Sequence, residues 1–344
     1  MMQIVSPIAL TMGEPAGIGG EITLKAWANR AETGVPIFFV IDDRKRLERL
    51  SSALNWPFQS IAITTPEEAL DAFRHGLPVL EHKLPGSITP GQPNPTNAPS
   101  VISSIDTAFS FVQSGAAGAI VTNPIHKGTL YDAGFEYPGH TEYLAAKAKG
   151  PRAVMMLACD ELRAVPVTTH LSLEEAIKTL NTEDIVEVAR ITAGALQTDF
   201  GINNPHLMIS ALNPHGGENG ALGREELEII LPAVNQLKLE GHSISGPAPA
   251  DTLFHPQARG AYDAVICMYH DQALIPLKTI NFSSGVNITM GLPFVRTSPD
   301  HGTAFEIAGT GVADETSLVE SLKIAARIAE RRGNVGARPV SQRA

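Results

Sequence analysis

Short apolar runs that stop abruptly at polar residues recur along this chain. Clear examples are residues 37–41, 207–212 and 264–268. Runs of this length and apolarity are typical of strands that are buried on both faces of a sheet. Stretches with helical spacing lie between them, as at 100–112, where apolar residues recur every three or four positions. The alternation predicts an α/β protein with a mostly parallel sheet and helices on both faces.

The same patterns place individual elements. The predicted strands are 4–10, 37–41, 61–64, 117–121, 153–159, 162–167, 206–212 and 264–268. The predicted helices are 21–28, 43–54, 100–112, 139–147, 173–180, 182–198, 224–239 and 318–331. We expect the tail that follows Gly333 to be loose.

Local residue chemistry predicts where some of these elements begin and end. Asp42 or Asp43 can cap the helix that follows the second strand, and Thr182 can cap a later one. The dipeptide at 160–161 is expected to form a tight turn between two adjacent strands. Residues 84–99 contain five prolines, which excludes a regular element there. That segment is a flap, an oligomer contact or a simple crossover.

Composition narrows the class of protein. The 344 residues are 43% hydrophobic and carry a formal charge of −10, which argues against nucleic acid as the main partner. Cys159 and Cys267 lie in apolar runs and are expected to be buried thiols, not a disulfide scaffold. No basic, apolar leader opens the chain, and no apolar run reaches the ~18 residues of a membrane span. The expected location is the cytoplasm.

Polar clusters follow the apolar runs at the points where ligands bind in α/β sheets. In such sheets, ligands lie beyond the carboxyl ends of the strands. We therefore expect the polar clusters to converge on one edge of the sheet. They lie near residues 13, 123, 170, 215 and 270.

Three of these clusters contain a histidine: His170, His215 and His270. Three imidazoles at one edge of a sheet can hold a divalent metal and leave a position open for substrate. Their spacing matches no local metal motif, so loop histidines that only form hydrogen bonds remain an alternative. Asp271 can orient a neighbouring group or act as a base.

Groups suited to an anion follow closely. Lys278 and Arg296 are cations in an acidic chain, and Asn287 supplies an amide between them. Arginine binds phosphate or carboxylate through two parallel hydrogen bonds, and lysine binds it as a point charge. These residues predict a site for an anionic substrate. Asp251 and the dipeptide at 300–301 are further polar candidates without an assigned role.

The glycine-rich loop at 13–20 does not have the spacing G-x-G-x-x-G. A Rossmann-type dinucleotide site is therefore not indicated. The glycines favour either a close approach of backbone to a ligand or an ordinary turn from strand to helix.

Several motifs together resemble one known family. They are GEPAGIG (13–19), TNPIHK (122–127), GHTE (139–142), NPHGGE (213–218), YHDQ (269–272) and GVNITMGLPFVRTSPDHGT (285–303). The chain resembles the 4-hydroxythreonine-4-phosphate dehydrogenase (PdxA) family of vitamin B6 synthesis over about residues 8–330. Glu14, Gly216 and Ala273 stand where that family usually has Asp, Ala and Gly. These differences leave the choice of substrate open.

The resemblance implies a fold like that of isocitrate and isopropylmalate dehydrogenases, with two α/β domains around a central cleft. We place one domain at 1–130 plus 285–344 and the other at 131–284. It also implies a homodimer with a divalent metal (Zn, Mg or Co) at the subunit interface. The metal ligands correspond to His170, His215 and His270, one of them from the partner chain. Substrate contacts correspond to His140, Thr141, Lys278, Asn287 and Arg296.

The implied reaction is oxidation of 4-phosphooxy-L-threonine by NAD or NADP. The product, 2-amino-3-oxo-4-phosphooxybutanoate, then loses carbon dioxide to give 3-amino-2-oxopropyl phosphate, in pyridoxine 5'-phosphate biosynthesis. Asp271 is a candidate catalytic residue. Alternatives are a dehydrogenase of threonate or erythronate 4-phosphate, a metal-dependent hydrolase and a non-catalytic protein that binds phosphorylated metabolites. The preferred cofactor, the native metal and the general base stay open.

Overall fold

A computed structural model describes residues 6–150 and 152–334. The start of the first predicted strand, at residues 4–5, and the tail beyond residue 334 lie outside the described residues.

Twelve strands form one sheet, in the order β3-β4-β2-β1-β5-β12-β11-β6-β7-β10-β8-β9. They are β1 (Ile8–Thr11), β2 (Phe38–Asp42), β3 (Ser60–Ile63), β4 (Leu77–Glu81), β5 (Ala119–Val121), β6 (Val154–Cys159), β7 (Leu162–Pro166), β8 (Leu207–Ser210), β9 (Ile244–Ala248), β10 (Ala264–Cys267), β11 (Val286–Met290) and β12 (Arg296–Pro299). The α/β class expected from the sequence is confirmed.

Helices connect the strands. They are α1 (Gly19–Ala28), α2 (Arg30–Thr33), α3 (Arg44–Ala53), α4 (Ala69–His75), α5 (Ala98–Ser114), α6 (Lys127–Asp132), α7 (His140–Ala148), α8 (Leu173–Thr179), α9 (Thr182–Thr198), α10 (Leu231–Leu239), α11 (Pro256–Arg259), α12 (His270–Ile280) and α13 (Thr316–Asn334). A π-helical turn, Glu226–Ile230, leads into α10, so one predicted helix is split in two. Short 3-10 turns lie at Pro66–Glu68, Pro95–Asn97, Ala250–Thr252 and Phe305–Ile307, and Pro214–Gly220 is a turn whose residues 215–219 have left-handed backbone angles.

Helices cover both faces of the sheet, as expected. Strand β5 shows the arrangement, because successive side chains of a strand point to opposite faces. Ala119 and Val121 belong to the core that includes Leu318 of α13. Ile120 belongs to a second core, which includes Ile105 of α5.

The sheet consists of two sets of parallel strands that run in opposite directions. β11 is antiparallel to β12 and β6, and β6 is antiparallel to β7. Strands β1 to β5 and β12 therefore run one way, and β7 to β10 run the other way. The two sets have their carboxyl ends at opposite edges, so the prediction that all five polar clusters share one edge is wrong. The division into domains 1–130 plus 285–344 and 131–284 stays a prediction.

Two helix caps test the local predictions. Asp43 is the N-cap of α3, and its side chain accepts from the backbone N–H of Arg46 at 2.9 Å. Thr182 is not a cap, because it is the first helical residue of α9. The cap is Asn181, whose side chain accepts from the N–H of Asp184 at 2.8 Å. An amide oxygen one residue earlier satisfies the same free N–H group.

The proline-rich segment 84–99 is a crossover from β4 to α5; it contains the 3-10 turn Pro95–Asn97, and its last two residues begin α5. Its backbone is held by the side chain of Asn97, which accepts from the N–H of Gly86 at 2.8 Å. Gly91 donates to the carbonyl of Ala16 at 2.8 Å, so the segment packs against the glycine-rich loop.

Among the helices of the described residues, none combines the length and the apolar composition that a membrane span requires.

Candidate active site

A polar patch occupies the centre of the sheet, where the two sets of strands meet. Arg296 and Ser298 of β12 and Asn287 of β11 line a cavity of about 200 Å³. The opposite wall comes from the start of α7, with His140 and Thr141. The sequence placed these residues far apart, and the pairing of Asn287 with Ser298 brings them together.

Arg296 is a buried cation that is held by hydroxyl groups. Its side chain is 3% exposed and donates to the hydroxyls of Thr289 at 2.9 Å and Thr122 at 2.7 Å. It lies 3.4 Å from the Thr141 hydroxyl. It forms no ion pair with a carboxylate in residues 6–150 and 152–334, and burial lowers the pKa of Arg296 to about 10. Nearby Glu142 offsets only part of that effect.

Other polar atoms around this cavity also lack partners among the described residues. They are Nε of Arg296, Nε2 of His140, Oδ1 of Asn287 and Nε2 of His301. A buried polar atom without a hydrogen bond costs about 1–3 kcal/mol, so native proteins seldom retain several together. Donors and acceptors that converge on one cavity are typical of a binding site for a small polar ligand.

The histidine of α7 is neutral at physiological pH. Burial lowers the pKa of His140 well below its ordinary 6.5, and the charges of Arg296 and Lys127 act in the same direction. A neutral imidazole can donate one hydrogen bond and accept another. His140 can therefore contact an anion without adding charge.

Lys278 lies outside the residues that line the cavity. Its Nζ is 3.0 Å from the backbone carbonyl of Asp300 and 3.1 Å from the carboxylate of that residue. Burial raises the pKa of Asp300 more than Lys278 lowers it. This pair fixes the chain next to His301, whose ring does line the cavity.

Two of the three predicted metal ligands lie side by side. The ring centroids of His170 and His270 are 5.9 Å apart. Nδ1 of His270 is 2.7 Å from the carboxylate of Asp271, a pairing that orients the ring and leaves Nε2 available. His170 also lines the cavity that contains Arg296, so the histidine pair and the anion site adjoin.

His215 is not brought to this pair within one chain. It lies in the turn Pro214–Gly220 and has a left-handed backbone, with φ of 52°. No three or more His, Cys, Asp or Glu side chains of the described residues are grouped to hold a metal ion. The donor chemistry of His170 and His270 suits a cation such as zinc, and a complete site needs at least one more ligand.

The glycine-rich loop, residues 13–20, packs against residues that line the cavity. Gly13 has φ of 67°, and a Cβ there would lie 2.7 Å from Cβ of Asn123 and from the carbonyl of Pro124. The N–H of Glu14 donates to that carbonyl at 2.8 Å, so the clusters near residues 13 and 123 are in contact. The loop also holds Thr303, whose carbonyl accepts from the N–H of Ile18 at 3.0 Å.

Several residues of the site lie within the quoted sequence motifs but had no role assigned from the sequence. Thr122 and Thr289 position Arg296, and Lys127, Glu142 and His301 line the cavity. Thr122 and Thr289 belong to these motifs, but the sequence does not distinguish a hydroxyl that binds a buried arginine from that of any other threonine. The dipeptide at 300–301 was noticed, but its role depended on the fold.

Comparison with known proteins identifies the family. The model of the family described as "Pyridoxal phosphate biosynthetic protein PdxA" matches residues 35–325. The chain belongs to the PdxA family. A protein of Caulobacter vibrioides named 4-hydroxythreonine-4-phosphate dehydrogenase is 50% identical over 335 residues, which cover 95% of this chain and 98% of that protein. The family resemblance inferred from the motifs is confirmed.

Solved structures agree with this membership. A 4-hydroxythreonine-4-phosphate dehydrogenase from Klebsiella pneumoniae is 38% identical, with a TM-score of 0.84 over 94% of this chain and 99% of that one. A terephthalate 1,2-cis-dihydrodiol dehydrogenase from Burkholderia xenovorans is 25% identical, with a TM-score of 0.62 over 94% of this chain and 98% of that one. The fold of the PdxA family thus also occurs in a dehydrogenase with a different name.

Proposed function

We propose that this protein oxidises 4-phosphooxy-L-threonine, with NAD or NADP as hydride acceptor. The product, 2-amino-3-oxo-4-phosphooxybutanoate, then decarboxylates to 3-amino-2-oxopropyl phosphate in pyridoxine 5'-phosphate biosynthesis. Family membership and the names of the relatives support this reaction. The observation that carries the proposal is the buried guanidinium of Arg296, which has no ion pair among the described residues and faces a small cavity.

The residues of the cavity bind and orient the substrate in this proposal. Arg296 binds an anionic group of the substrate, and His140, Thr141 and Asn287 supply hydrogen bonds around it. Arg296 is buried and contacts no carboxylate of the described residues, although Glu142 also lines the cavity, so its charge is weakly screened by water and available to an anion. Lys278 acts indirectly, since its bond to Asp300 holds the segment that carries His301.

The histidines hold the reacting end of the substrate. Asp271 accepts a hydrogen bond from Nδ1–H of His270, which leaves the Nε2 lone pair free to bind a cation. Asp271 is therefore an orienting residue in this proposal. A divalent cation (Zn, Mg or Co) held by His170, His215 and His270 would lower the pKa of the substrate hydroxyl, and the nicotinamide would accept the hydride.

We propose that one of the three imidazoles comes from the partner chain of a homodimer. Two observations support this. Only His170 and His270 are adjacent within the described chain. Exposed apolar side chains also lie beside them: Leu171 is 45% exposed and Leu173 is 56% exposed. Such side chains are suited to burial against another subunit.

An assay panel tests the reaction. Phosphorylated hydroxythreonine, threonate and erythronate are each offered with NAD and with NADP, and NADH or NADPH absorbance is followed. We expect the fastest turnover with the hydroxythreonine ester. Faster turnover of the threonate or erythronate ester would identify that ester as the substrate instead. Release of product without any change in absorbance would indicate a hydrolase, and no turnover with any ester would overturn the proposal.

A mixing experiment tests the shared metal site. We expect His170→Ala and His215→Ala each to give a folded protein with little bound metal and little activity. If the two side chains serve one site from different chains, a mixed dimer has one intact site and one that lacks both. Mixing the two inactive variants under conditions of subunit exchange should then restore part of the activity. No recovery would place both ligands on the same chain, and wild-type metal content in the single variants would remove them from the site.

A further inference from the structure

A second cavity, of about 390 Å³, lies on the other face of the sheet. Its walls are helix α13, the β6–β7 turn and the segment that follows α9. Ala158 of β6 lines it, whereas the adjacent Leu157 points to the opposite face and pairs in register with Asn287 of the candidate active site. The sheet therefore separates the two cavities.

Three arginines line this second cavity. Arg327 and Arg331 lie four residues apart on α13, and side chains at that spacing share one side of a helix. Arg163 reaches in from β7, with its guanidinium 4.9 Å from the ring centroid of Phe200. None of the three forms an ion pair with a carboxylate in the part of the chain that the structure describes.

The carboxylates that line the cavity form no ion pair with these arginines in the described residues. Asp199 is engaged by Arg332, at 2.7 and 2.8 Å. Glu320 pairs with Lys323 at 2.9 Å. Asp160 is the remaining carboxylate in the lining.

Arg163 and Arg327 are also close enough to repel one another. Burial lowers the pKa of Arg163, and the charge of Arg327 lowers it further, while Asp263 and, more weakly, Asp160 of the lining oppose both effects. Like charges that are held together cost free energy unless an anion lies between them. The protein has a formal charge of −10, so a cavity lined by three arginines without ion pairs among the described residues is a local concentration of positive charge in an acidic chain.

We propose that this cavity is a second ligand site, which binds a small multivalent oxyanion. The guanidinium forks suit phosphate or carboxylate oxygens. Phe200 and the aliphatic side chains of Ile324 and Ile328 provide an apolar wall for the rest of the molecule. The chemical class is a small organic phosphate or a polycarboxylate. The site does not depend on the proposed reaction.

Calorimetric titration of the full-length protein tests the site. Inorganic pyrophosphate and citrate serve as separate probes, so that the two sources of oxyanion are distinguished. Arg327→Gln removes one cation from an exposed, helix-compatible position, so folding should be preserved. Arg224→Gln is the matched control, because Arg224 is exposed and pairs with Glu228 on the surface.

We expect at least one probe to bind wild type and the Arg224→Gln variant alike, and to bind Arg327→Gln about tenfold more weakly. Raised salt should weaken this binding, and Arg331→Gln should reproduce the loss. Heat from chelation of metal at the active site is common to all variants and cancels in the comparison. Equal binding by wild type and Arg327→Gln for both probes, or no binding by wild type, would overturn the proposal.

Discussion

Two buried arginines of this protein have nearly the same exposure and opposite surroundings. Arg46 is 4% exposed and Arg296 is 3% exposed. Arg46 binds both carboxylate oxygens of Asp42, at 2.9 and 2.6 Å, and the carbonyl of Pro15 at 2.9 Å. Arg296 is held mainly by hydroxyls, and its Nε has no partner among the described residues.

The difference shows how burial can serve structure or binding. Burial acts to lower the pKa of both guanidiniums, but for Arg46 the carboxylates of Asp42, Asp43 and Glu14 together outweigh it, and the pKa is raised. Burial lowers the pKa of Arg296 to about 10, and Glu142 offsets only part of that effect, since no carboxylate of the described residues contacts the guanidinium. Arg46, whose charge Asp42 neutralises, stabilises the glycine-rich loop through its bond to the carbonyl of Pro15. A buried charge that is left without a counter-ion is suited to a ligand.

The largest expected effect is on stability at the paired site. Arg46→Gln leaves the carboxylate of Asp42 buried without its counter-ion, which should lower the free energy of unfolding by about 3–5 kcal/mol. Denaturant unfolding measures it. The control is Arg44→Gln, since Arg44 pairs with Glu48 at 3.7 Å on the surface and should change stability by less than about 1 kcal/mol. An equal loss of unfolding free energy in the two variants would mean that the buried pair of Arg46 and Asp42 stabilises the fold no more than a surface pair does.

The next effect is on activity at the unpaired site. Arg296→Gln removes a charge without stranding a carboxylate, so the free energy of unfolding should change by only about 1 kcal/mol. The proposed contact with an anionic substrate is lost, and kcat/KM should fall about a hundredfold or more. Steady-state kinetics with phosphorylated hydroxythreonine measures this change. A variant that loses several kcal/mol of unfolding free energy yet keeps the wild-type kcat/KM would make Arg296 a structural residue like Arg46.

A smaller effect is expected from the hydroxyls that hold Arg296. Thr289→Val keeps the shape of the side chain but removes an acceptor that lies 2.9 Å from the guanidinium. The cation should lose its fixed orientation, and KM should rise about tenfold with a smaller change in kcat. Thr289→Ser restores the hydroxyl and should recover most of the affinity. Failure of serine to recover it would point to packing by the methyl group instead.

The smallest effect concerns pH and the neighbour of Arg296. The pKa of His140 is lowered in the folded protein, so the unfolded chain binds the proton first as pH falls below 6.5. Stability is therefore full above that pH and declines as pH falls towards the folded pKa. His140→Gln should reduce the loss between pH 7 and 5.5 by about 1 kcal/mol, measured by denaturant unfolding at each pH. An unchanged pH dependence would mean that His140 titrates alike in both states.

The sequence predicted most strands and helices because their apolar periodicity is local. It did not predict β12, whose residues Arg296–Pro299 are mostly polar. The strand faces the site on one side, and Thr297 bonds to the carbonyl of Ser321 in α13 on the other. A central strand that carries function therefore loses the pattern by which strands are recognised. The segment at 69–81, with α4 and β4, was also missed.

The chemistry of individual side chains identified the candidate site residues in the sequence. Only the fold shows which of these candidates face the cavity. Lys278 and Arg296 are equivalent as cations in the sequence. The structure pairs Lys278 with Asp300 and leaves Arg296 unpaired within the described chain, so only one faces the ligand cavity. His170, His215 and His270 were likewise equivalent, and one chain joins only the first and third.

The sequence by itself determined the α/β class, most of the elements, the family and the kinds of side chain that the chemistry needs. These depend on local periodicity and on motifs that are contiguous in the chain. The tertiary structure decided the reversal of strand direction at β11 and β6, and the enclosure of Arg296 without a carboxylate. Both depend on which distant segments become neighbours, and the free energy of a buried charge is set by those neighbours.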